Sequence, residues 1–123
     1  MKQKILIAGK GCISAIGLNT AENLQALQAG KTGVGPVTIL PTRYAATLPA
    51  AEIKLTNAQL AAMAGLHSGE PRTALLSAIA AKEAMADAAI PEIGKWRVGF
   101  ISANTVGAMD NSETIYKYFM EDS

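Results

Sequence analysis

The chain opens with a short apolar run, Lys4 to Ala8 (KILIA), that stops at glycine. Its length and β-branched content predict a strand, and its apolar residues on both faces predict one covered from both sides. The segment LNTAENLQALQAG then reads as a helix, with Asn19 as N-cap, Glu22 three residues on, Leu24 and Leu27 on a shared face, and Gly30 as the stop. A turn-rich stretch, GKTGVGPVTIL, leads to a short extended piece at Val37 to Leu40, and PAAEIKL reads as another. TNAQLAAMAG is predicted as a short helix capped by Thr56 and ended by Gly65.

A longer helix follows in EPRTALLSAIAAKEAMADAA, with Pro71 in its first turn. Its core-facing stripe is expected at Leu75, Ala78, Ile79, Ala81 and Met85, against Lys82, Glu83 and Asp87 on the solvent side. RVGFISA (97–103) is a second apolar strand. Asp110 with Glu113 is a further N-cap signature, before a helix through NSETIYKYFMED that is expected to bury Ile115 and Phe119. Strand, helix, extended pieces, two helices, strand and helix make an α/β protein without internal repeats. Two covered strands alone make a poor sheet, because their faces and edges need neighbours. Further strands are therefore expected beside them.

Composition sharpens this picture. With 123 residues, 50% hydrophobic and 17% charged, the chain fits one domain able to bury a core. The alanine-rich stretches suit close approach of helices to a sheet. The net charge is +1 and the basic residues are scattered, which argues against nucleic acid as a partner. The first apolar run is too short for a signal peptide or a membrane span, so a cytoplasmic protein is expected. One cysteine and one histidine leave no internal disulfide and no metal cluster, and no cofactor is expected.

The stretch AGKGCISAIG (8–17) invites three chemical readings. As a dinucleotide loop it has Gly9 and Gly11, but Ser14 stands where the third small residue belongs. Its helix cap lies well beyond the loop, and no acid follows about twenty residues on to hold a ribose. As a thiol site, Cys12 lacks a base, because His67 lies in the loop GLHSGEP with no recognisable relation to it. Cys12 is expected to be a small buried residue. Arg72, Lys82 and Lys95 read as single solvated charges.

The third reading is a turn, and here the residues match a family. The segment ILIAGKGCISAIGLNTAENLQALQAGKTGVGPV resembles the N-terminal segment of the β-ketoacyl-acyl-carrier-protein synthases, condensing enzymes of the thiolase-like fold. In that family a first strand enters Gly-x-Gly, a small apolar pair, Ser and a further Gly. A capped helix ending in Leu-x-x-Gly comes next, then a Ser/Thr-Gly-Val/Ile turn. The matching positions are Gly9, Gly11, Ser14 and Gly17, the Leu27 to Gly30 helix end, and Thr32, Gly33 and Val34. The similarity continues through Arg72, the helix to Ala89, WRVGFISANTVGAMD and ETIYKYF, and so covers the chain. It departs at Ala15, where the family usually has proline, and at Ala108, where a second glycine is common.

The resemblance implies the N-terminal portion of a thiolase-like fold, layered helices around a mixed sheet, in residues 1–123 with no second domain. It implies transfer of an acyl chain from acyl-carrier protein to a cysteine. The carbanion from decarboxylated malonyl-carrier protein then attacks that acyl group. The nucleophilic Cys, two His and a Lys have no counterparts here, and Cys12 matches a small apolar residue, so the chain alone is expected to be inactive. The resemblance further implies a homodimer or heterodimer when intact. It places Asn104, Val106, Gly107, Ala108 and Met109 along the acyl pocket or the interface, with Val106 at the gating position. A non-catalytic piece that binds a condensing-enzyme partner, and an α/β nucleotide-binding domain, stand as alternatives.

Overall fold

The computed structural model of the chain describes residues 4–90 and 92–121. Four α-helices form among the described residues: α1 (Thr20–Gln28), α2 (Asn57–Ala64), α3 (Arg72–Asp87) and α4 (Met109–Glu121). Asp122, within the segment expected to close the last helix, and Ser123, at the end of the expected domain, lie outside the described residues. Local chemistry sets the ends of the first two helices as expected. The Asn19 side chain accepts the Glu22 N–H at 2.9 Å, and the Leu18 N–H donates to the Glu22 carboxylate at 2.7 Å. Thr56 and Gln59 form a reciprocal capping box.

Three helices end alike. In α1, Gly30 N–H donates to Leu27 O and Lys31 N–H to Ala26 O; in α2, Gly65 donates to Ala62 O and Leu66 to Ala61 O; in α3, Ala89 donates to Ala86 O and Ile90 to Met85 O. This paired pattern needs a left-handed residue after the helix. Gly30 and Gly65 supply it at φ of 63° and 70°, and Ala89 adopts 52° despite its Cβ.

The core lies between α2 and α3, where Leu60, Ala61, Ala64, Leu75 and Ile79 are buried together, with Ile13, Ile53, Leu55, Leu76 and Ala78 packed around them. The stripe expected on α3 is thus anchored at Leu75 and Ile79, with Ala78, Ala81 and Met85 partly covered. Helix α1 reverses its expected face: Asn23 and Ala26 are buried while Leu24 and Leu27 are exposed. Its close neighbour is backbone at Gly17, where a small face fits and a leucine face does not. In α4, Ile115 and Phe119 are exposed instead of buried, and among the described residues α4 packs extensively on no other element.

Sheet structure is sparse. Strand β1 (Val34–Gly35) pairs antiparallel with β2 (Ala50–Ala51), in the register Val34 to Ala51 and Gly35 to Ala50. Neither Lys4–Ala8 nor 97–103 enters a ladder among the described residues. Ile5, Ile7 and Ile101 are 96%, 93% and 97% exposed. A strand is defined by its neighbour, and among the described residues no strand lies beside these runs to accept their hydrogen bonds. No helix among the described residues is long and apolar enough to cross a membrane.

Candidate functional site

The glycine-rich stretch lies along α3 at backbone distance. A Cβ added at Gly11 would stand 2.8 Å from Ala84 N and closer still to Ala80 O; one at Gly9 would collide with Ala84 O and Ala88. Alanines at 80, 84 and 88 keep this helix face flat, so the two segments touch backbone to backbone. Carboxylates one turn apart on α3 then receive the amides of the stretch. Glu83 accepts the N–H of Cys12 at 2.9 Å and of Thr20 at 2.7 Å, and Asp87 accepts the Lys10 N–H at 3.0 Å.

These bonds stabilise the ionised carboxyls. The Thr20 and Cys12 amides hold Glu83 below the usual carboxylate range, and the Lys10 amide and ammonium do the same for Asp87. Glu83 therefore works as a cap, whereas its place opposite the core stripe predicts a solvated charge. Cys12 is exposed, not buried as expected, because its backbone and not its side chain meets the helix.

At the end of the stretch, Ser14 and Gly17 exchange backbone bonds of 2.8 and 3.4 Å around Ala15 and Ile16. Asn23 locks this turn: its amide donates to Gly17 O at 2.9 Å and Asn19 O at 2.8 Å, and its oxygen accepts the Ser14 hydroxyl. Asn23 is 7% exposed, with its polar atoms engaged, as burial requires. The stretch is thus a clasp between α1 and α3. It presents no row of free amides to a phosphate, because the Lys10, Cys12 and Ser14 amides are already bonded.

Around 104–109 the expected pocket residues divide. Asn104 joins Thr73, Ala74, Ser77, Phe100 and Ser102 around an open cleft of about 290 Å³ under α3. Phe100, Ser102 and Asn104 alternate along the chain, the spacing of one strand face. Gly107 packs against the Asn104 side chain, 2.8 Å from a Cβ position to its Oδ1. Ala108 sits at φ of 58° and donates its N–H to Thr73 Oγ1 at 3.3 Å. Val106 and Met109 are exposed and do not line this cleft.

A polar network joins this loop to the core. The Arg72 guanidinium donates to Leu55 O at 2.8 Å, Asn57 Oδ1 at 3.0 Å and Ile53 O at 2.7 Å, so Arg72 is a structural tie and not a solvated charge. Asp110 accepts from Arg72 N at 3.0 Å and Asn57 Nδ2 at 3.2 Å. Burial raises its pKa, but these donors prevail and the carboxyl is held below its ordinary value. Lys82 reaches the last carbonyls of α2, Met63 O and Ala64 O, both at 3.2 Å, and Lys95 pairs with Glu92 at 2.8 Å. Glu52 gathers the amides of Thr38, Ile39 and Leu40 at 2.7 to 3.0 Å, with Lys54 Nζ at 2.6 Å. The Lys54 ammonium, helped by these amides, holds Glu52 far below the usual carboxylate range.

Sequence reading missed Asn23, Glu52, Glu83 and Asp110 as organisers. Only Asp110 carried a local signal, its N-cap pattern with Glu113, and the helix instead begins at Met109. His67 is exposed in a turn, its carbonyl accepting Glu70 N–H at 3.3 Å. No group of three or more His, Cys, Asp or Glu that could hold a metal ion occurs among the described residues. No protein-family model, curated protein or solved structure matches the chain.

Proposed function

We propose that the chain is the N-terminal scaffold of a β-ketoacyl-acyl-carrier-protein synthase of thiolase-like fold. The observation that carries this reading concerns the glycines of the resemblance. An added Cβ would crowd a neighbour at Gly9, Gly11, Gly17 and Gly33, as it would at Gly107 outside the motif, and Gly30, like Gly65, is left-handed. At Gly35, Gly69, Gly94 and Gly99, which play no part in the glycine motif, nothing lies within 4 Å. The two departures fit the same pattern. Ala15 occupies the second position of a turn, where proline is favoured, and Ala108 is left-handed, where glycine is favoured.

In this reading, Lys4–Ala8 and 97–103 are central strands whose partners come from the remainder of the enzyme, which accounts for their exposed isoleucines. The chain supplies the helices that back those strands and the 104–109 loop of the acyl pocket. The reacting Cys, His and Lys belong to the remainder, together with the site for malonyl-carrier protein. Cys12 takes no part in the chemistry, since it has no imidazole among its hydrogen-bond partners.

The test has two arms. Acyl-carrier protein bearing a radiolabelled acyl group is expected to leave the chain unlabelled, and the transcript beyond codon 123 is expected to encode a Thr-Ala-Cys turn and two later His in frame. Acylation and condensation by the chain alone would overturn the reading, as would a frame without those residues. In that last case a stable complex with a separate condensing-enzyme subunit would favour a non-catalytic partner subunit, which the same exposed strands also suit.

A further inference from the structure

The segment that leaves β1 is gripped by the segment that leaves β2. The Glu52 carboxylate accepts the amides of three consecutive residues, Thr38 at 2.7 Å, Ile39 at 3.0 Å and Leu40 at 2.7 Å, and the Thr38 hydroxyl at 3.2 Å. Lys54 completes the grip, its Nζ donating to Glu52 at 2.6 Å and to Pro36 O. The Glu52 side chain is only 10% exposed, so these bonds are made at the back of the segment and away from bulk water.

Residues 37–41 form one wall of two adjoining hollows. One, of about 300 Å³, has Ile39 and Pro41 facing Asn57 and Asp110. The other, of about 340 Å³, has Val37 facing Ile53 and Leu76. Leu40, Glu52 and Arg72 line both. Arg72 is fixed to the body through Ile53 O and Leu55 O, so the movable part of this partition is Leu40, whose amide rests on Glu52.

We infer that residues 36–41 are a strap which Glu52 holds closed across one groove: with the carboxylate in place Leu40 divides the groove into two hollows, and release of the carboxylate lifts the strap and joins them. Successive amides converging on one point make a concave nest that suits an anion, and a charged acceptor holds them more strongly than a neutral one. Without it the three amides regain their bonds most readily by turning to water. Little apolar burial opposes that movement, since Val37 and Ile39 are only half-buried and Leu40 is 59% exposed. The inference does not depend on the condensing-enzyme reading, because it concerns bonds within this chain.

Glu52→Ala in the full chain, with Leu76→Cys as a reporter in the groove and Cys12→Ala removing the native thiol, reads both halves of the inference. Hydrogen exchange at Thr38, Ile39 and Leu40 is expected to accelerate together by roughly tenfold or more, the scale of a lost charged hydrogen bond, while Leu60 in the core keeps its rate. The thiol introduced by Leu76→Cys is expected to react faster with a maleimide as the groove opens. Amide rates unchanged by Glu52→Ala overturn the strap, and so does an unchanged thiol rate beside freed amides. Acceleration of Leu60 by the same factor also overturns it, because the body and not the strap would then have opened. Should Glu52→Ala not fold, Lys54→Met removes the cation and the tie to Pro36 but keeps the carboxylate. It is expected to move both rates the same way by a smaller factor, and rates that it leaves unchanged overturn the strap.

Discussion

Replacing Gly11 with alanine tests the clasp where it is tightest. The new methyl would lie 2.8 Å from Ala84 N and 3.0 Å from Ala80 C, with the Ala80 oxygen nearer still. All three are backbone atoms of a hydrogen-bonded helix, so no side chain can turn aside. Restoring ordinary contact separates the stretch from α3 by about 1 Å, an overpacking that costs about 1–3 kcal/mol. The lower freedom of alanine in the unfolded chain returns about 0.4–1 kcal/mol. The net expectation is a loss of about 1–2 kcal/mol. Gly35→Ala is the control, because nothing lies within 4 Å of its added Cβ. Urea unfolding followed by circular dichroism compares the two, and hydrogen exchange at Cys12 reports whether its bond to Glu83 has opened. Equal stability of the two variants, with the Cys12 amide still protected, would refute the backbone-contact argument.

Two further perturbations concern the end of α3 and the carboxylates that accept backbone amides. Ala89→Gly removes a left-handed alanine that costs about 1–2 kcal/mol and gives back about 0.4–1 kcal/mol in unfolded-state freedom, so urea unfolding should show a gain of about 0.5–1 kcal/mol; a loss would contradict the helix-end assignment. Glu52, Glu83, Asp87 and Asp110 all have pKa values lowered by folding. Their stabilisation is therefore complete above their unfolded values of about 4 to 4.5 and is lost as pH falls through the lower folded values. The urea midpoint should drop below about pH 4.5, and Glu83→Gln should flatten that dependence. A midpoint that rises with acid would reverse the sign of the argument.

What could be read from sequence was what is local. Asn19 with Glu22, Thr56 with Gln59, and Gly30 and Gly65 each act within a few residues, and the structure uses them as their spacing predicts. The glycines at 9 and 11 fitted a turn after the first apolar run, but nothing near them in sequence told that α3 would lie against their backbone. The organising bonds join distant positions, Lys10 to Asp87, Cys12 to Glu83 and Arg72 to Asp110, and no periodicity encodes such pairs. The strand prediction failed for a related reason. Apolar, β-branched sequence makes a segment fit a sheet, but a ladder requires a partner, and residues 4–8 and 97–103 have none among the described residues. Facing in α1 depended on Gly17 lying against it, so the small side of the helix and not its leucines turned inward.

Hydrogen exchange across the whole chain tests the central claim most directly, namely that 4–8 and 97–103 are strands whose partners lie outside this chain. The account predicts rapid exchange of the amides of Ile5 to Ala8 and Val98 to Ala103, beside slow exchange at Leu60 and Leu75 in the α2–α3 core. Protection of Ile5 to Ala8 equal to that of Leu75 in the monomeric chain would contradict it.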